Sequence, residues 1–200
     1  TSALDAYAAD IAEQDLAPLR PSLAPARRLA VWRATWLRRS GDLTRARAAL
    51  GPDEVVLTGR FAALALAVAE CDLALGRCDT AEAHAREALA AASSERNDVV
   101  QFLAAAVLAH ANARHGDPGQ QAERLARLVA HAPLQIPPPL LIEVKLRWLA
   151  TRLSIDERQD GTAPASARQD ELIDDALTVT REALRCKDAG AVARAAFIAA

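Results

Sequence analysis

Apolar and polar residues alternate along most of this chain with the spacing of amphipathic helices. Apolar side chains recur three and four residues apart, and the segments that carry this pattern end at glycine or proline. A polar stretch at 154–166 predicts a loop. The pattern predicts helices at 3–19, 25–39, 43–50, 55–75, 79–92, 97–115, 117–131, 140–153 and 167–187, with a tenth beginning after Gly190.

Three of these predicted helix starts carry capping signals. Asp79 is followed three residues later by Glu82, and Ser166 by Gln169, which predicts two capping boxes. Asp117 precedes Pro118, and proline is favoured at the first helical position because its missing N–H is not needed there.

Three glycines divide the predicted helices into similar units. Gly41, Gly76 and Gly116 each follow a helix, and each has an alanine seven residues earlier. Small residues at facing positions would let two antiparallel helices approach closely. We expect a single helical-repeat domain over 1–200, with units at 24–52, 53–95, 97–133 and 138–188. The repeat register after Pro139 stays open, because a second frame fits Ala183, Gly190 and Ala195 and would make 167–187 the first helix of its pair.

The small-residue frame resembles that of the tetratricopeptide-repeat superfamily over residues 24–133. The matching residues are Ala34-Gly41-Ala46-Leu50, Ala69-Gly76-Ala81-Ala85-Ala88 and, more loosely, Ala109-Gly116-Leu125-Leu128-Pro133. The chain departs from that pattern four residues before each glycine, where a large aromatic residue is replaced by Leu37, Asp72 and Asn112. Degenerate repeats of this kind look like the MalT-like helical-repeat region of bacterial LuxR-type regulators of the STAND class.

The resemblance implies an all-α fold, a right-handed superhelix of about five antiparallel helix pairs. It also implies a non-catalytic module that binds a protein or peptide, as the sensor or scaffold part of a bacterial transcriptional regulator in signal transduction. A free-standing adaptor in a protein complex and a small-effector-binding domain stay as alternatives. Because the chain begins with Thr1 and stops inside a helical pattern, we expect a fragment of a larger protein. The regulator role requires ATPase or DNA-binding domains elsewhere in that protein, whereas the adaptor role does not.

Composition agrees with a helical protein and excludes several function classes. The chain has 49 alanines and 27 leucines, both strong helix formers, and 52% of its residues are hydrophobic, too many for disorder. Charged residues interrupt every apolar run, so we expect no membrane span and no membrane partner. A formal net charge of −2 disfavours direct binding of nucleic acid, which is favoured by a strongly basic surface.

Sequence motifs for catalysis and cofactor binding are missing. The chain has no GxxxxGK[ST] or GxGxxG loop for phosphate, no HExxH, and no paired CxxC. Its serines lie near segment ends, where they cap helices and turns. The odd, sparse set of cysteines favours a reducing cytoplasm over a disulfide framework. We therefore predict a cytoplasmic protein that is not an enzyme, with no catalytic residue, no metal and no cofactor.

The superfamily pattern implies where a ligand would bind. The first helix of each pair lines the concave face of such a superhelix. Its mixed charge would suit a protein or peptide with acidic character, held by charge-assisted hydrogen bonds. The alternative is that the arginines only solvate helix ends. Carried over residue by residue, the pattern implies a binding stripe at Arg28, Thr35, Arg38, Arg39, Glu70, His110, Arg114 and Lys145.

The tryptophans and the chain ends allow two further expectations. Trp32 and Trp36 lie four residues apart and therefore on one helix face. We expect them to pack between repeats; the alternative is an aromatic floor for a ligand, which would leave the indoles partly exposed. Terminal repeats without polar caps expose apolar faces, which predicts a homodimer.

Overall fold

A computed structural model of the chain describes residues 25–51, 61–156 and 165–199. Within these ranges the chain forms nine α-helices and no strand, so the predicted all-α class is confirmed. No helix in these ranges is both long enough and apolar enough to cross a membrane. The predicted helix at 3–19 lies outside the described residues. The helices are α1 (Pro25–Arg39), α2 (Leu43–Ala49), α3 (Ala62–Ala74), α4 (Cys78–Glu95), α5 (Asp98–His115), α6 (Pro118–Ala130), α7 (Pro138–Asp156), α8 (Ala165–Arg185) and α9 (Ala189–Ala199).

One of the three capping predictions is confirmed, and the capping box at Ser166 is wrong because α8 already begins at Ala165. Asp117 is the N-cap of α6, and its carboxylate accepts a hydrogen bond from the Gly119 N–H at 2.8 Å. The capping box at Asp79 is wrong, because α4 begins one residue earlier and its N-cap is Arg77. Asp79 therefore lies in the first turn of α4, where a negative charge interacts favourably with the helix dipole.

The loop predicted at 154–166 is shorter at both ends than expected. α7 continues to Asp156 and α8 already begins at Ala165, while residues 157–164 lie outside the described ranges. The Ser154 hydroxyl donates a hydrogen bond to the Thr151 carbonyl at 2.7 Å. Because its hydroxyl bonds to a carbonyl of the same helix, Ser154 can remain helical. The polar character of this segment predicts a loop instead.

One turn conformation recurs between consecutive helices. A residue with positive φ follows the first helix, and the N–H of the next residue donates to the carbonyl five residues earlier, as in the Schellman motif. The residue that follows the positive-φ residue lies at the N-terminus of the second helix, directly before its first turn. The connection between the two helices is therefore very short. In the four turns with this hydrogen bond, the positive-φ residues are Gly41 (86°), Gly76 (75°), Arg96 (54°) and Lys187 (56°).

These turns correct the alignment of the predicted units. Gly116 does not have a positive φ, and α5 ends there with a hydrogen bond from its N–H to the Asn112 carbonyl. At the C-terminal end Lys187 takes the turn position, whereas Gly190 lies inside α9. The frame built on Gly190 is therefore displaced by three residues, although α8 does turn directly into α9.

The chain divides into two compact units, residues 1–111 and 112–200, with the division inside α5. In the first unit α3 packs against α1, α2 and α4. Every residue from Ala62 to Ala69 is buried, so α3 forms much of the core of this unit. Alanines on α4 face it without measurable exposure: Ala81, Ala85, Ala88 and Ala92.

In the second unit α7 packs against α6, α8 and α9. A single apolar cluster joins α7, α8 and α9, in which the larger side chains come from α7 and the smallest from α9. Because α9 contributes alanines, it can lie close to both of its neighbours. The buried members are Ile142, Leu146, Leu149, Leu172, Ala176, Val179, Ala183, Ala191 and Ala195.

Replacement of Gly76 by alanine tests the left-handed turn. No atom lies within 4 Å of the place that a Cβ would occupy, so the cost comes from φ alone. We expect Gly76→Ala to lower the free energy of unfolding by about 1 kcal/mol, measured by urea denaturation. Gly190→Ala is the matched control, because Gly190 is helical and its Cβ would lie 3.5 Å from the Asp188 Oδ1. Equal losses in the two variants would contradict the role of φ.

Candidate functional site

The residues implied as a ligand-binding stripe lie in both units. On α1, the Thr35 hydroxyl donates to the Val31 carbonyl at 2.9 Å, and Arg39 is half-buried. Arg28 belongs to α1, but its side chain lies outside the described part of the structure. His110, half-buried on α5, belongs to the first unit, whereas Arg114 and Lys145 belong to the second. The predicted stripe is therefore divided between two compact units.

Two members of the stripe are joined by an ion pair. The Arg38 guanidinium on α1 lies 3.3 Å from the Glu70 carboxylate on α3, and both side chains are largely buried. Charges at this depth interact more strongly than surface charges, because solvent screens them less. Arg38 and Glu70 thus hold α1 against α3, and any acidic ligand at Arg38 would have to compete with Glu70.

Lys145 is used in a similar way in the second unit. Its ammonium group on α7 lies 2.6 Å from the Glu182 carboxylate on α8. About two turns further along α7, Arg152 forms an ion pair with Asp175 of α8, and its guanidinium stacks over the Trp148 ring at 5.2 Å from the ring centroid. The facing charges of α7 and α8 therefore neutralise one another inside this unit.

The most buried charge in the first unit was not predicted as a site residue. Asp72 occupies α3, whose sequence AALALAVAECDLA is otherwise almost entirely apolar or small, and it is only 2% exposed. The backbone carbonyl of Asp72 accepts the hydrogen bond that closes the turn after α3. Leu37 and Ala183 hold the same position in the turns after α1 and α8, and both have buried apolar side chains. At this position Asp72 therefore buries a carboxylate where the other two residues bury hydrocarbon.

Asp72 is surrounded by three basic side chains from other parts of the unit. The Arg47 Nε of α2 donates to its Oδ1 at 3.2 Å, and the exposed Arg77 guanidinium lies 3.9 Å from the same oxygen. The His84 Nδ1 of α4 lies 3.1 Å from Oδ2. Because a carboxylate can only accept, this Nδ1 carries the proton. We call Arg47, Asp72 and His84 the buried triad.

Electrostatics keep the triad carboxylate ionised. Burial by itself raises the pKa of Asp72, but the hydrogen bond from His84 and the charge of Arg47 outweigh burial and leave that pKa below its ordinary value of 3.8. Both oxygens are occupied by donors from α2 and α4. The triad therefore satisfies its own charge and joins three helices.

A histidine held by an aspartate is also the arrangement that orients a catalytic base. The thiol next to it in sequence is poorly suited to act as a nucleophile. Burial raises the pKa of Cys71 from 9.0 to about 11, although the nearby Arg38 opposes that rise. Near neutral pH the thiol stays protonated, and a protonated thiol is a weak nucleophile. Cys71 therefore does not supply a nucleophile for the pair of Asp72 and His84.

Sequence reasoning could have found Asp72 but not its partners. An acidic residue in an otherwise apolar helix, such as Asp72 or Glu70 in α3, indicates a buried charge that needs a cation. His84 and Arg47 follow from no such signal, because they lie 12 and 25 residues away on other helices. Only the contact between helices identifies them.

The exposed face of α1 differs in character from the buried triad. Leu29 is 61% exposed and Trp36 is 37% exposed, while Trp32 is half-buried. Arg33 and Arg39 lie on the same arc of the helix, one turn from these apolar side chains. We call these five residues the α1 surface. The indoles are partly exposed, as the alternative of an aromatic floor requires.

Comparisons of this chain with protein-family models, with curated proteins and with solved structures found no match. Among the residues that the structure describes, no group of three or more His, Cys, Asp or Glu side chains could hold a metal ion. The function must therefore be argued from the surfaces and contacts of this chain itself.

Removal of the triad carboxylate should destabilise the first unit strongly. Asp72→Ala leaves the Arg47 cation buried without its counter-charge, so we expect a loss of about 3 kcal/mol or more in the free energy of unfolding. His84→Ala should cost less in the Asp72→Ala background than in the parent chain, with a coupling of about 1 kcal/mol in a double-mutant cycle. Glu123→Ala, on the exposed side of α6, is the control and should change stability by less than about 0.5 kcal/mol. Additive losses at Asp72 and His84 would contradict the triad.

The low pKa of Asp72 predicts a dependence of stability on pH. The unfolded chain binds a proton at Asp72 at a higher pH than the folded chain does, so the contribution is present above about pH 4 and is lost as pH falls below it. Urea midpoints of the parent should therefore fall more steeply between about pH 5 and pH 2.5 than those of Asp72→Asn, which cannot titrate. Parallel pH profiles would show that Asp72 is not held ionised by the fold.

Proposed function

We propose that this chain is a non-catalytic helical-repeat module that binds a protein or peptide partner through the α1 surface. The observation that carries the proposal is the pair of partly exposed indoles, Trp32 and Trp36, beside Leu29 and two arginines. Tryptophan and arginine are the side chains most enriched at the energetic centres of protein interfaces.

The charge of the α1 surface favours a partner with acidic groups next to apolar ones. Arg33 is exposed and Arg39 is half-buried, and no acidic residue occurs in α1. An amphipathic helix or an extended peptide could place apolar side chains on the indoles and a carboxylate on the exposed Arg33 guanidinium. Buried carboxylates pair with Arg38 and Arg47, so these two support the fold beneath the surface.

The wider role follows from the resemblance in sequence. We propose that the module is the sensor or scaffold part of a bacterial transcriptional regulator, with degenerate tetratricopeptide-like repeats. Close helix hairpins with alanine contacts and short turns are compatible with such repeats. A coding region that continues into ATPase and DNA-binding domains would favour this role. A coding region without them would favour the free-standing adaptor.

The α1 surface can be tested by affinity capture from lysate of the source organism, followed by mass spectrometry. We expect the parent chain to capture a protein that Leu29→Asp/Trp36→Ala fails to capture, because the variant removes the apolar contact area. Arg33→Glu should weaken the same capture by at least about tenfold, if the partner presents carboxylates.

Two matched controls keep this experiment specific. Leu134→Asp changes a fully exposed apolar residue between α6 and α7, and Arg124→Glu reverses an exposed cation on α6. Both should capture the partner as the parent does, and circular dichroism should be unchanged in all variants. Equal capture by the parent and the α1 variants, or no capture by any of them, would contradict the proposal.

A further inference from the structure

The second unit exposes a narrow apolar stripe along α8. Ile173 is 38% exposed, Leu177 is 39% exposed and Leu184 is 59% exposed. With the half-buried Thr180, whose hydroxyl donates to the Ala176 carbonyl, these residues are spaced four, three and four residues apart. That spacing is the seam of a two-stranded coiled coil, in which apolar residues recur every three or four positions. We call these four residues the α8 stripe.

The charged residues of α8 have two different electrostatic surroundings. On the side towards α7, about half a helical turn away from the stripe, Asp175 and Glu171 lie near Arg152, and Glu182 pairs with Lys145. These charges are neutralised within the unit. The outer flank, directly beside the stripe, carries four exposed charged residues: Asp170, Asp174, Arg181 and Arg185.

The order of charges on the outer flank is self-complementary. The two acidic residues lie in the N-terminal half of α8 and the two basic residues lie in its C-terminal half. If a second α8 lay alongside in the antiparallel direction, acids of one helix would face bases of the other. In a parallel pair the two outer flanks would lie on opposite sides of the seam, so these charges would not meet.

We propose that the α8 stripe is the interface of a symmetric homodimer in which α8 packs antiparallel against α8 of a second copy. A two-fold axis between residues 178 and 179 sets Ile173 opposite Leu184 of the second copy, and Leu177 opposite Thr180 of the second copy. The interface is isologous, so each contact occurs twice. This proposal is independent of the partner proposed for the α1 surface.

The charged pairs fit the same register as the apolar pairs. Asp174 would face Arg181 of the second copy, and Asp170 would face Arg185 of the second copy. Both pairs are offset by two residues from the apolar layers, about 3 Å along the helix axis, which an arginine side chain can span. One axis therefore satisfies the apolar seam and the flanking charges together.

Charge reversal on the full 200-residue chain tests this arrangement by sedimentation equilibrium. The parent mass should rise with concentration from 21.3 kDa towards twice that value. Arg181→Asp/Arg185→Asp makes the outer flank wholly acidic, and Asp170→Arg/Asp174→Arg makes it wholly basic. Each variant alone should dimerise at least about tenfold more weakly than the parent. An equimolar mixture of the two should recover the dimer as a heterodimer, because opposite flanks then meet.

Controls separate this interface from any other. Arg124→Asp/Arg127→Asp reverses two exposed arginines on α6 and should leave dimerisation unchanged, whereas Leu177→Asp should abolish it. Circular dichroism should be the same for all variants. A parent chain that stays monomeric up to its solubility limit, or dimers that persist in both charge-reversed variants, would overturn the proposal. Failure of the mixture to recover the dimer would overturn the antiparallel register.

Discussion

Close approach of helices through alanine is the constraint on which the rest of this structure depends. On α4 and α9 the buried residues are largely alanines, and on α8 alanines with no exposed surface alternate with Leu172 and Val179. Each alanine buries about one methyl group, which contributes little to stability, and each loses no side-chain entropy. Helices at such short distances need short connections, and the Schellman turns provide them. This explains why Arg96 and Lys187 adopt a left-handed conformation that usually belongs to glycine.

Alanine faces are smooth, so they specify the register between two helices poorly. Larger side chains normally provide that specificity by interlocking. Here ion pairs cross the helix contacts instead: Arg38 with Glu70 between α1 and α3, the buried triad among α2, α3 and α4, and Lys145 with Glu182 between α7 and α8. A buried ion pair adds little net stability because both charges lose hydration, but a shifted register would leave them unpaired. We infer that these pairs fix the register.

The sequence predicts the local parts of this fold and not the contacts between its helices. Helix type and most helix bounds follow from glycine, proline and apolar spacing, because those signals act within a few residues. The left-handed turn at Lys187 does not follow from the sequence, because glycine is the residue usually expected at such a position and Gly190 lies only three residues away. Arg38 and Lys145 attract attention as cations on one predicted face, yet whether a carboxylate from another helix reaches them depends on the tertiary arrangement. The triad is invisible in sequence for the same reason, and only the apolar setting of Asp72 hints at it.

Bulky apolar residues that face no neighbouring helix matter for function. Leucine side chains fill much of the core, but Trp36 and Leu177 lie partly exposed on helix surfaces. Complete burial of such a side chain contributes about 1.5–3 kcal/mol, and covering its exposed part adds the fraction of this that folding has left to solvent. In a single folded chain this apolar surface stays exposed to water, and association with a second protein would bury it. The charges beside each surface then select the partner: α1 offers only cations, which suits an acidic protein, whereas α8 offers acids and bases in mirrored order, which suits another copy of itself.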